Sequence, residues 1–210
     1  MSSTTKRRGA PKRGEPSARE RLVQTATDLF YQEGVRAIGI DTVIERSGVS
    51  KSSLYRTFSS KEELIAAFVE EQDRRFWQWW DDLVASGVGE PRKQLEGIVI
   101  GVAELISQPQ FRGCPFINIC IEFPDRQQPC TEIACANKEE VRERLRVLSR
   151  DLGAQDPDRL GDQLAILLDG AYGHAMTVGA GSVRRELIAM ARLLIDAQVK
   201  PPRRRSATAS

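Results

Sequence analysis

Residues 47–64 read SGVSKSSLYRTFSSKEEL, and the fold is decided there. Two short segments of helical period meet at Ser47-Gly48-Val49-Ser50. Gly48 supplies the positive φ that a tight interhelical turn needs. Val49 plugs the angle between the two helices, and Ser50 stands where it caps the second one. At about 100° per residue, Leu54, Tyr55 and Phe58 cluster on one side of that helix. Ser52, Ser53 and Arg56 lie on the other. Short hydroxyls let a backbone approach base edges, and arginine pairs bidentately with guanine. Ser50, Lys51, Tyr55 and Lys61 sit at element ends, where hydroxyls and amines meet phosphates. The pattern fits a helix-turn-helix whose second helix enters a DNA major groove, or an ordinary helical hairpin with a solvated polar face.

Outward from this stretch, almost every segment repeats its apolar residues at helical spacing. A first helix starts at Ser17, with Glu20 closing a capping box, carries Leu22, Ala26, Leu29 and Phe30 on one face, and ends at Gly34. A second spans about Asp41 to Arg46, and a third about Ser50 to Thr57. Ser60 and Glu63 form another capping box for a long fourth helix reaching about Ala85. Further helices open at Pro91, Pro115, Pro129 and Asp156-Pro157, and a ninth runs from Ser182 to before Pro201. No alternating run is long enough for a sheet. The expected fold is all-α, about nine helices, with a three-helix N-terminal head and a larger helical body.

The chain has 210 residues, 40% hydrophobic and 29% charged, which is the balance of a soluble globular protein. Phe116 to Ile121 is the longest apolar run, and Asn118 interrupts it, so no membrane partner is expected. Four cysteines are too few for a disulfide scaffold and point to a reducing, cytoplasmic setting. The net charge of +2 hides a partition. Residues 1–60 hold 11 basic and 6 acidic residues, a balance of +5, while residues 61–199 hold 16 and 23, a balance of −7. A basic N-terminal third suits a phosphate backbone, and an acidic body is repelled by it. Residues 1–16 and 200–210 read as disordered tails. Lys6, Arg7, Arg8, Lys12 and Arg13 are suited to phosphate or a minor groove, and equally to solvent.

Catalytic motifs are missing. There is no phosphate loop ending in Gly-Lys-Ser/Thr, no Gly-x-Ser-x-Gly and no His-Glu-x-x-His. His174 stands alone, and Cys114, Cys120, Cys130 and Cys135 lack paired zinc spacing, so no cofactor, no metal and no enzyme activity are expected. The thiols fit small buried hydrophobes, with oxidant sensing as the alternative.

At these residues the sequence resembles the TetR family of transcriptional regulators. The resemblance is carried by Gly34-Val35, by Gly48-Val49-Ser50-Lys51, by Leu54-Tyr55 and Phe58, and by Ser60-Lys61-Glu62-Glu63-Leu64. It covers about Ser17 to Phe76. It implies a head over 17–76, with the recognition motif at 39–58, and a ligand-binding and dimerisation body over 77–199. It implies a homodimer that represses from a palindromic operator on double-stranded DNA and is released by a small-molecule effector. Carried onto this chain, the DNA-contacting residues are Gly39, Thr42, Ser50, Lys51, Ser52, Ser53, Tyr55, Arg56 and Lys61. Two positions depart from the family pattern. Gly39 stands where Thr or Ser usually caps the second helix, and Ile44 where Ala usually packs.

In that arrangement Trp77, Trp80, Phe116, Ile117, Cys120, Tyr172 and His174 surround an apolar pocket, although aromatic residues at helical spacing also suit a plain core. Helices eight and nine carry small and apolar residues, among them Gly170, Gly173, Leu187, Leu194 and Ile195, which suit a four-helix dimer face. The two other readings are a thiol-sensing repressor and an architectural DNA-binding protein without a ligand.

Overall fold

The computed structural model describes residues 16–199, so the expectations for 1–15 and 200–210 lie outside it. Among the described residues there are nine helices and no strands. They are α1 (Ala18–Glu33), α2 (Ile40–Ser47), α3 (Lys51–Thr57), α4 (Lys61–Ala85), α5 (Pro91–Leu105), α6 (Pro115–Glu122), α7 (Pro129–Asp151), α8 (Pro157–Val178) and α9 (Ala180–Gln198). The chain divides into two compact units at Glu71/Gln72, within α4.

Local chemistry sets the head's elements. Ser17 and Glu20 form the reciprocal capping box of α1. Gly48 ends α2 in the left-handed conformation, φ 63°, and Ser50 Oγ accepts the Ser53 N–H at 3.2 Å to start α3. The cap of α4 is divided between two serines. Glu63 N–H donates to Ser60 Oγ at 3.2 Å, while the Glu63 carboxylate accepts from the Ser59 N–H at 2.6 Å and hydroxyl at 2.8 Å. Leu22, Ala26, Val43, Leu54 and Leu64 are fully buried, and Phe30 meets Phe68 edge to face at 5.6 Å.

Thr27 is also buried in this core, and its hydroxyl has no hydrogen-bond partner in the structure. A buried hydroxyl left unsatisfied costs about 1–3 kcal/mol. Thr27→Val keeps the shape and removes the polar atom. It is expected to stabilise the protein by about 1 kcal/mol, raising the melting temperature by about 2–4 °C. Thermal melts followed by circular dichroism check this; a lower melting temperature contradicts it.

In the body, α7 and α8 pack closely because Gly161 faces the Arg146 backbone. A Cβ at Gly161 would stand 2.7 Å from Arg146 N and 2.8 Å from its Cα. The two helices are also tied by charge. Asp162 accepts from Arg146 Nε and Arg142 Nε, each at 2.8 Å. Those hydrogen bonds, Arg146 first, pull its carboxyl down to a pKa of about 2. Arg92 bridges α5 to Asp196 of α9 at 2.5 Å. The end of α9 lies against the α7–α8 turn, where Gln198 accepts from the N–H groups of Gln155 and Asp156. α9 begins at Ala180, two residues before the expected Ser182, directly after Gly179 at φ 88°.

Candidate nucleic-acid interface and body cluster

The second helix of the helix-turn-helix is seven residues long, and its two sides differ in kind. Leu54 is fully buried, and Phe58 at its C-cap is 2% exposed. Lys51, Ser52, Tyr55 and Arg56 are exposed, Ser53 is half-buried, and Ser50 is exposed at the N-cap. Tyr55 corrects the helical-wheel expectation. Its ring is 48% exposed instead of packed beside Leu54 and Phe58. One residue past Leu54 is a turn of about 100°, enough to carry it out of the core.

The exposed donors are lightly held. Ser50 Oγ lies 2.9 Å from Ser53 Oγ and 3.2 Å from Ser52 Oγ. Arg56 Nη2 reaches Ser53 Oγ at only 3.4 Å. Lys51 pairs with Asp41 of α2 at 2.9 Å, and that hydrogen bond and charge raise the amine's pKa. Asp41 was not foreseen as its partner, because the pairing depends on how α2 meets α3. Lys61 is committed elsewhere. It donates to Val35 O at 2.8 Å and lies over the Phe30 ring at 5.9 Å, so its amine holds the α1–α2 connection. Gly39 is the exposed N-cap of α2 with no side-chain cap, and Thr42 is half-buried one turn on. A Cβ at Gly39 would meet nothing within 4 Å. Ile44 is half-buried.

The body holds an aromatic cluster built around Phe76. Its ring lies 5.0 Å from Trp77, 5.6 Å from Phe116, 5.6 Å from Trp79 and 6.0 Å from Trp80. Trp77, Trp80 and Phe116 of the expected pocket therefore come together through Phe76. Arg144 stacks its guanidinium over Trp77 at 4.0 Å, and Trp77 Nε1 donates to Asp73 Oδ1 at 3.0 Å. Asn137 Nδ2 donates to the same oxygen at 2.8 Å. Asp73 precedes Trp77 by four residues, a spacing that signals a helix-face pair; nothing local signals Asn137.

Other expected pocket residues are placed differently. Ile117 and Cys120 are half-buried, and Cys120 Sγ lies 3.9 Å from Cys135 Sγ. Tyr172 is buried and stacks on Phe111 at 6.0 Å, with Lys138 over its ring. Lys138 is ion-paired with Asp169. His174 is exposed, which corrects its assignment to the pocket. It follows the buried Tyr172 by two residues, roughly 200° around the helix. A surface groove of about 370 Å³ between α7 and α8 is lined by Lys138, Val141, Arg142, Asp162, Ala165 and Ile166 among others, and shares no residue with the aromatic cluster.

The expected dimer residues separate into two sets. Leu187 and Ile195 are buried inside the subunit, at 2% and 0% exposure, so they do not face a second copy; that assignment is corrected. α9 packs against α5 and α8 within the subunit. Gly170 and Gly173 are exposed and Leu194 is half-buried. Beside them, unforeseen, are exposed Ile166 and Met176 of α8 and Met190 and Leu193 of α9.

Residues 22–68 match the model of the bacterial regulatory proteins of the tetR family. A tetr-transcriptional regulator of Streptomyces avermitilis (sav143) superposes with a TM-score of 0.79. It is 33% identical, over 87% of this chain and 98% of that one. The chain belongs to the TetR family. A second TetR-family structure, SCO4454 from Streptomyces coelicolor, superposes at a TM-score of 0.80 and 28% identity, covering 87% of this chain and 96% of that one. The HTH-type transcriptional regulator YjdC of Escherichia coli is 22% identical over 152 residues, 72% of this chain and 80% of its own. The protein is thus a TetR-family DNA-binding transcriptional regulator and not an enzyme. TetR regulators bind DNA and usually dimerise. Among the described residues no helix is long and apolar enough to cross a membrane.

Proposed function

We propose that this TetR-family regulator is a homodimeric repressor. Its α3 reads the half-sites of a palindromic operator, and a largely apolar small molecule releases it. The DNA-binding head is assigned to residues 17–71 and the ligand-binding and dimerisation body to 72–199, five residues before the expected 76/77 boundary, because the two compact units divide at Glu71/Gln72. The observation that carries the DNA part is the division of α3, with Leu54 fully buried behind exposed Lys51, Ser52, Tyr55 and Arg56. Truncating an exposed base-reading side chain leaves the packing intact, so readout and folding are separable. Ser50, Lys51 and Thr42 are assigned to phosphate contacts and Ser52, Ser53 and Arg56 to base edges. At Gly39 only the backbone N–H is offered to a phosphate. Lys61 is assigned to holding the head together.

The effector site is assigned to the cluster of Phe76, Trp77, Trp80 and Phe116, with Ile117 at its margin. A ligand releases the operator only through its preference for the form that does not bind DNA, and tenfold release needs about 1.4 kcal/mol of differential affinity. Tryptophan emission tests this directly, since all three tryptophans lie within 6.0 Å of Phe76. In a panel of apolar and aromatic compounds, one that shifts emission is expected to lower operator affinity in parallel. A compound that shifts emission while leaving operator affinity unchanged contradicts the release mechanism.

The 3.9 Å separation of Cys120 and Cys135 favours a second reading, a thiol-sensing repressor. Burial and the neighbouring Cys135 push the Cys120 thiol up to about 11, and burial raises Cys114 and Cys130. The thiolate is the reactive form, so these thiols are poor sensors at neutral pH. Peroxide is expected to leave operator binding unchanged over minutes. Rapid release by peroxide, lost when Cys120 and Cys135 are both changed to serine, would favour the thiol reading.

A further inference from the structure

The body's aromatic cluster carries one polar arrangement that its packing does not explain. Asn137 of α7 is 3% exposed, and its Oδ1 is buried without a hydrogen-bond partner in the structure. The amide orientation is fixed by chemistry. Nδ2 donates to Asp73 Oδ1 at 2.8 Å, and that same oxygen accepts from Trp77 Nε1 at 3.0 Å. Turning the amide over would set its oxygen against a carboxylate oxygen, acceptor against acceptor. The atom left over is therefore an acceptor.

Buried side-chain acceptors are nearly always satisfied, since leaving one in apolar surroundings forfeits its hydration. Here the acceptor belongs to a residue that shares one carboxylate oxygen with Trp77. Trp77 in turn meets Phe76 and Trp80 ring to ring, at 5.0 and 5.9 Å. Arg144 and Asp73 are already engaged with Trp77, so Asn137 Oδ1 is the acceptor left over beside the rings, and aromatic walls with a fixed polar group orient a ligand as well as holding it. Asp73, the group holding both Asn137 and Trp77, is the second residue of the body on α4, the helix that continues from the head.

We infer that Asn137 Oδ1 is the polar handle of the effector site, and that the effector is an aromatic or polycyclic molecule bearing one hydrogen-bond donor, a hydroxyl or an N–H. This rests on the proposal that the cluster is the effector site, and it names the chemical class that site takes. The donor satisfies Oδ1, while the ring system lies among Phe76, Trp77 and Phe116. A site built to hydrogen-bond a donor rejects the analogue that lacks it far more strongly than an apolar wall rejects a missing methylene. A ligand without the donor leaves Oδ1 as it is and gains only contact area.

The test uses matched probes on the full-length protein: 1-naphthol against naphthalene, and indole against 1-methylindole. Binding is read from tryptophan emission and, independently, by calorimetry. The donor-bearing member of at least one pair is expected to bind at least tenfold more tightly than its counterpart. Asn137→Leu is expected to abolish that preference while changing the affinity of the donor-free member less than threefold. Should the leucine variant fail to fold by circular dichroism, Asn137→Ala takes its place, and the wild-type comparison decides on its own. Equal binding within both pairs overturns the handle while leaving an apolar effector site standing. A donor preference that survives in the Asn137 variant overturns the handle as well. Failure of all four probes to bind overturns both the handle and the assignment of the cluster as the effector site.

Discussion

Leu193→Glu is expected to convert the protein to a monomer and to weaken operator binding by about 10²–10⁴-fold. Leu193 is 70% exposed on α9, next to Met190 at 50%, and Ile166 of α8 is 72% exposed. Ile166, Gly170 and Gly173 follow one another at helical spacing on α8, as Met190 and Leu193 do on α9. Glycines without side chains let helices approach, and the long side chains beside them supply apolar area. One glutamate per subunit places two like charges in a desolvated face. A palindrome then loses the gain from tethering two heads, and each half-site is bound alone. Light scattering reads the monomer, mobility shifts read the operator affinity, and circular dichroism is expected to show the fold retained. A Leu193→Glu protein that remains dimeric at micromolar concentration contradicts this face. Ile195→Arg is not the equivalent experiment. Ile195 is fully buried, so arginine there puts a charge into the core and unfolds the subunit instead of dividing the dimer.

Arg56→Ala is expected to lower operator affinity about 5- to 150-fold, the equivalent of the 1–3 kcal/mol carried by a good bidentate base contact. Arg56 is exposed, and its one hydrogen bond among the described residues is the 3.4 Å contact to Ser53 Oγ. The melting temperature is therefore expected to stay within the scatter of surface substitutions. Lys61→Ala provides the contrast. Its amine caps Val35 O and covers the Phe30 ring, so the loss is expected in thermal stability. Unchanged operator affinity in Arg56→Ala removes α3 from the role of reading helix.

Residues 47–64 predict the head because its determinants are local. A glycine at positive φ, the serines that cap α1, α3 and α4, and a leucine facing inward each act within one turn of their own position. The prolines at 91, 115, 129 and 157 mark helix starts for the same reason, since each lacks only an N–H that the first turn leaves unpaired. Tyr55, His174, Leu187 and Ile195 were harder to place. Which side of a short or doubly packed helix faces inward depends on the neighbour it meets. Leu187 and Ile195 have the composition of an interface, yet they are already buried within the subunit, on a helix that packs against α5 and α8. The polar group in the body was illegible. Asp73 and Asn137 are separated by 64 positions, and only the packing of α4 against α7 joins them. Asp162 likewise becomes the hub for Arg142 and Arg146 only because Gly161 lets α8 approach α7.

The proposed repressor is a dimer that reads a symmetric site through α3. In-vitro selection from random double-stranded DNA by the full-length protein tests this most directly. One short inverted repeat is expected to be enriched, its half-site centres set by the helical repeat at about 10–10.5 base pairs or a multiple of it. Selection in parallel with Arg56→Ala is predicted to relax the preference at one position of each half-site. Enrichment of no motif, or of an asymmetric one that Arg56→Ala recovers unchanged, would contradict it.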